Sequence, residues 1–248
     1  MVGSLLLRGM LAGVFAAVLA FGFARTFGEP QVDRAIAFEE QMSKAKGEAP
    51  EPELVSREVQ SSIGLFTGLA VYGAAMGGLL SLVFAFVHGR FGSMSPRALA
   101  ALLALGAFVA ISLVPAIKYP PNPPAIGNPE TIGPRTTLFF LMLLFSVTAL
   151  VLAVALARRL SARYGIWNAS IIAGVAFILG IALIEYGMPT INEVPDQFSA
   201  VVLWKFRVAA LGIHAVLWTA IGLGFGYAAE RCLAQSYGHR YGARSLAR

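Results

Sequence analysis

The chain has 248 residues, 57% of them hydrophobic and only 13% charged, with a formal net charge of +6. A composition this apolar leaves no room for a disordered polypeptide, and its sparse charge does not fit a nucleic-acid binder. A single cysteine, Cys232, rules out an intramolecular disulfide framework.

Six apolar runs follow one another along the chain, at 5–24, 63–87, 98–117, 137–157, 169–188 and 208–229. Each reaches the roughly 20 residues needed to cross about 30 Å of hydrocarbon, and each must be helical because lipid cannot satisfy an open backbone. The expected fold is therefore an all-α, polytopic transmembrane bundle of about six spans in a single transmembrane domain. The first run is too long for the apolar core of a signal peptide and lacks a clean small-residue cleavage site, so it reads as a retained helix.

Between the first two runs, 25–62 is an acidic connection whose centre, SKAKGEAPEPEL, has no apolar period and is expected to be partly disordered. Ahead of it, VDRAIAFEEQM spaces Val32, Ile36 and Met42 for an amphipathic turn or two along the membrane surface. Around the 116–136 connection, six prolines lie from Pro115 to Pro129 and Pro134 follows, which imposes a stiff, extended path. That path fixes where Lys118, Tyr119, Asn122, Glu130, Thr131 and Arg135 point; the loop either holds a site or plugs one face. In 189–207, Trp204 and Phe206 suit aromatic anchoring at the interface, and 230–248 is a basic tail.

Sidedness follows from charge. The amino end, 88–97, 158–168 and the tail hold ten arginines against Glu230 alone, whereas the other connections hold nine basic residues and twelve acids. The positive-inside rule places both termini in the cytoplasm and the 25–62 and 116–136 loops outside. Glycines recur four apart at Gly9 and Gly13, Gly64 and Gly68, Gly73 and Gly77, and Gly222 and Gly226, which predicts close helix contacts. There is no phosphate-binding Gly-Lys-Ser/Thr run, and the three histidines, His88, His214 and His239, are scattered. His214 stands inside the last run, where an ionisable group is costly. It serves either as a cation or proton ligand, or as a neutral ring bonded to a neighbouring helix.

The segments LLLRGMLAGVFAAVLAFGFARTFGEPQVDRAIAFEE, SREVQSSIGLFTGLAVYGAAMGGL, KYPPNPPAIGNPETIGPRT and LWKFRVAALG together resemble the CbtA family, the predicted cobalt transporter subunit. The resemblance extends from the amino end to about Ala229. It implies a multi-pass protein of the bacterial inner (cytoplasmic) membrane, not an enzyme, moving Co2+ for cobalamin supply. It also implies a small single-span, histidine-bearing CbtB-like partner. The residues themselves show no paired His or Cys spacing that calls for a stably bound cofactor, their basic balance suits an anionic leaflet and not a nucleic acid, and an oligomer is compatible with the chain.

Cobalt(II) accepts imidazole and carboxylate ligands. On that basis Glu29, Asp33 and Glu130, with Glu39, Glu40, Glu193 and Asp196, could collect the hydrated ion at the outer face, while Glu185 and His214 offer ligands deeper in. The competing view is of a membrane scaffold that recruits partners through glycine-rich faces, since few charges lie within the runs.

Overall fold

The computed structural model describes residues 2–47, 54–90, 94–124, 126–127 and 131–245, with side chains described as far as Gln235. The described residues are all-helical. The elements are α1 (Val2–Phe23), α2 (Glu29–Lys46), α3 (Arg57–Val59), α4 (Leu65–Val87), α5 (Pro96–Ala107), α6 (Val114–Lys118), α7 (Ile132–Gly187) and α8 (Ala200–Ser245). Five continuous helical stretches are long and apolar enough to cross a membrane: Val2–Lys46, Arg57–Val87, Pro96–Lys118, Ile132–Gly187 and Ala200–Gln235.

Three π-helical segments join shorter helices into these stretches, at Ala24–Gly28, Gln60–Gly64 and Phe108–Leu113. Two of them have a cause in the sequence. Pro30 and Pro115 each lack an amide hydrogen, and their rings press on the carbonyl four residues earlier, at Thr26 and Ile111. Widening the preceding turn to an i→i−5 bond relieves that clash, as Glu29 donating to the Ala24 carbonyl shows. The helix therefore absorbs its proline instead of ending there.

Two expectations change as a result. The amphipathic turn or two after the first run is instead the 18-residue α2, continuous with α1, and its sequence explains the length. It is rich in Ala, Glu, Gln, Lys and Arg, has Glu29 in its first turn and has Lys44 and Lys46 in its last, which complements the helix dipole. Half of the expected disordered centre, 48–53, lies outside the described residues, and its first four residues, 43–46, are instead the helical end of α2. The connection expected at 158–168 is reduced to a break at one residue: Gly165 has φ 75° and ψ 162°, a conformation open essentially to glycine, with helix on both sides. The 56-residue α7 thus holds both the fourth and the fifth apolar runs.

The chain divides into two compact units. The first comprises 1–30, 50–107 and 212–248; the second comprises 31–49 and 108–211. In the first unit α1 packs along α4 at backbone contact. A Cβ at Gly9 would overlap the Gly77 carbonyl oxygen, and one at Gly13 the Gly73 carbonyl oxygen; the converse holds at Gly73 and Gly77. Gly222 and Gly226 face Ala104 and Ala100 of α5, where an added Cβ would meet alanine methyls, overlapping at Gly222 and tight at Gly226. Gly64 and Gly68 do not follow suit, because Gly64 meets only the Val59 backbone of its own helix and Gly68 has open space. Phe84 and Phe225 close the interior of this unit edge to face, 5.2 Å between ring centres.

The second unit has two apolar clusters. Val114, Tyr119, Met142 and Ile181 form one, joining α6 to both halves of α7. Ala35, Ile126 and Phe198 form the other, in which Phe38 of α2 meets Phe198 edge-on at 5.1 Å. Pro123 is fully buried and Ile126 is only 4% exposed, so the proline-rich loop is anchored inward at these two residues, while Pro124 and Gly127 stay exposed.

Candidate functional site

The polar residues singled out in the sequence fall into three groups. At the acid-rich end of the first unit, Arg57 donates to Glu29, whose side chain is 11% exposed. Beside it, Arg25 donates to the carbonyl of Ser61, 3.3 Å away. Ser61 lies in the second π-helical segment, where the i→i+5 pattern frees carbonyls from their usual partners, and Arg25 caps one of them. Two arginines thus tie the end of α1 to the start of the α3–α4 helix. Asp33, the neighbouring candidate, is exposed on α2 in the second unit.

His214 lies in α8 within the first unit. Its ring meets Tyr72 of α4 edge-on at 5.8 Å, and its Nδ1 is buried without a hydrogen-bond partner. An orphaned ring nitrogen is costly unless something arrives to use it. Glu185, near the end of α7 in the second unit, presents a similar case: its Oε1 is buried without a partner, and Lys118 of α6 acts on it electrostatically.

The third group is the most fully bonded and belongs to the second unit. Glu193, with a side chain 2% exposed, accepts hydrogen bonds from Thr131 and Arg135. Burial alone would raise its pKa. The bonds from Thr131 and Arg135, the charge of Arg135 and a bond from Asn122 outweigh burial and hold the carboxyl below the ordinary range. The Asn122 Oδ1 in turn accepts from Arg207 at 2.9 Å, and the same guanidinium reaches the Pro121 carbonyl at 3.4 Å. Tyr119 donates its hydroxyl to the Pro189 carbonyl at 2.7 Å. Prolines supply too few N–H groups to satisfy the loop's own carbonyls, so carbonyl and side-chain amide oxygens are left for the donor-only arginine to grip.

Of the predicted loop residues, Tyr119, Asn122, Thr131 and Arg135 are brought together by the 189–199 segment. Lys118 acts on Glu185 only through its charge, and Glu130 lies outside the described residues. Sequence reasoning placed Glu193 only on an acidic rim and passed over Arg207 altogether. The available signal was a guanidinium standing at the edge of an apolar run, where burial demands a partner. Among the described residues no three His, Cys, Asp or Glu side chains gather into a metal-binding group. Glu29 and Glu193 are committed to arginines, whereas Glu185 Oε1 and His214 Nδ1 keep lone pairs to offer.

The family model for CbtA, described as a probable cobalt transporter subunit, matches residues 2–230. The chain belongs to the CbtA family. Comparison with curated proteins and with solved structures gives no match. A transporter subunit with several helices able to span a membrane is a multi-pass membrane protein, and CbtA's description as a subunit implies that it works within a complex.

Proposed function

We propose that this CbtA chain forms the membrane-embedded path of a cobalt(II) uptake system of the bacterial inner membrane that serves cobalamin supply. A small single-span, histidine-bearing subunit contributes the ligands that the chain's own helices do not gather. The observation that carries this reading is the pair of buried, unpartnered acceptor atoms, Glu185 Oε1 and His214 Nδ1, one in each unit and both within apolar runs. A carboxylate oxygen and an imidazole nitrogen are what a borderline divalent ion accepts as it sheds water. Each atom offers one ligand within its own unit, and the other coordination places at each fall to water and to the partner. Glu29 and Asp33 then act as collectors at the outer face, Glu29 only when Arg57 releases it.

The ion pairs favour a second reading, in which the chain is a scaffold whose outer face is latched by Arg57 with Glu29 and by Arg135 with Glu193. Substitution separates the two. Glu185→Gln and His214→Ala, in cells that also make the partner, are each expected to lower cobalt accumulation roughly tenfold, the scale on which altered coordination shells reduce metal affinity. The amount of chain in the membrane should stay constant. Parental uptake by both variants would leave the scaffold reading.

A further inference from the structure

The arginine-rich end of the first unit carries a constellation that cobalt transport does not use. Arg97, in the first turn of α5, holds its guanidinium 5.3 Å from the centre of the Tyr227 ring, and Arg231, one turn on along α8, holds its own at 4.3 Å from the same ring. Glu230 pairs with Arg97 at 2.6 Å, both side chains being partly exposed at 37% and 57%. The glycine contacts between α5 and α8 make this possible. Gly226 lies so close to the Arg97 backbone that an added Cβ would stand 3.2 Å from the Arg97 Cα, which brings the two helices near enough for one tyrosine to serve two cations.

We infer that Arg97, Arg231 and Tyr227 form a binding site for the phosphate headgroup of an anionic phospholipid. Stacking on one ring orients two guanidinium groups without consuming their N–H groups; Arg97 spends part of its fork on Glu230, and the remaining N–H groups of the pair match phosphate oxygens. Like charges held this close repel, and Glu230 offsets only one of them. A headgroup phosphate supplies the missing negative charge. The location also favours a lipid over a soluble anion: Tyr227 is 44% exposed at the end of an apolar run, where acyl chains would lie along α8 beneath a bound headgroup. Arg90, at the same end of the unit, caps the Phe86 carbonyl and stacks on the Phe86 ring at 4.8 Å, so it is already engaged with its own helix and lies outside the site.

The test uses the full chain purified in neutral detergent and titrated with phosphatidylglycerol, phosphatidylcholine or inorganic phosphate, with bound lipid counted by native mass spectrometry. Phosphatidylglycerol should be retained in preference to phosphatidylcholine, and added salt should weaken that preference. Each arginine near an anionic surface contributes roughly fivefold, so Arg97→Gln with Arg231→Gln should weaken retention roughly 25-fold. Arg90→Gln should leave it unchanged, and Glu230→Gln, which frees Arg97, should strengthen it. Equal retention of the two lipids by the parental chain would overturn the inference even if the double variant failed to fold. So would displacement of phosphatidylglycerol by inorganic phosphate at equal concentration, or a double variant as selective as the parent.

Discussion

Gly13→Leu is expected to abolish recovery of folded protein from the membrane, and Gly13→Ala to lower its stability by about 1–3 kcal/mol or more, the usual cost of overpacking. The first atom added at Gly13 would meet the carbonyl oxygen of Gly73, which cannot rotate away as a side-chain tip could. Because Gly77 meets the Gly9 backbone in the same way, α1 cannot slide along α4 to relieve the overlap. Gly22→Ala and Gly68→Ala are the matched controls. Both glycines lie in helices with nothing within 4 Å of an added Cβ, so alanine there should be neutral or stabilising by about 0.5–1 kcal/mol. Thermal unfolding of the variants in one detergent checks the ranking, and equal midpoints for Gly13→Ala and Gly68→Ala would contradict the α1–α4 packing.

Glu193→Ala is expected to cost about 2–3 kcal/mol, below the full penalty for breaking a buried ion pair because Arg135 is 35% exposed and water can resolvate it. Thr131, Asn122 and Arg135 would all lose the acceptor they share. The same residue sets an acid limit. Its folded-state pKa lies below the ordinary 4.5, so its stabilisation is complete above that value and is lost as pH falls through the lower folded value. Unfolding midpoints of the parental chain should fall over that acidic interval, and those of Glu193→Gln should fall less. Equal acid sensitivity of the two would show that Glu193 does not hold the loop.

The helical membrane class was readable from run length alone, since 20 apolar residues leave the backbone no alternative in lipid. Glycine spacing was legible only in part. Gly64 and Gly68 have the same four-residue interval as Gly73 and Gly77, yet only the second pair meets another helix, because spacing defines a face and the partner defines its contact. The long α2 was hidden by Pro30, which reads as a helix stop unless a π turn precedes it. The Glu193 network was hidden by distance: its donors stand 62 and 58 residues away along the chain, and nothing local marks them as neighbours. That Glu185 and His214 would be ionisable groups set within helices was legible, because such a group inside an apolar run is conspicuous whatever it touches.

The most direct test of the transport account is cobalt flux into liposomes holding the purified chain, with and without the proposed histidine-bearing partner, read from quenching of a trapped metal-sensitive dye. The account predicts cobalt-dependent quenching with both subunits present, roughly tenfold slower when His214 is alanine or Glu185 is glutamine, and little quenching from the partner alone. Quenching by the partner alone at the full rate, or by the pair irrespective of both substitutions, would contradict it.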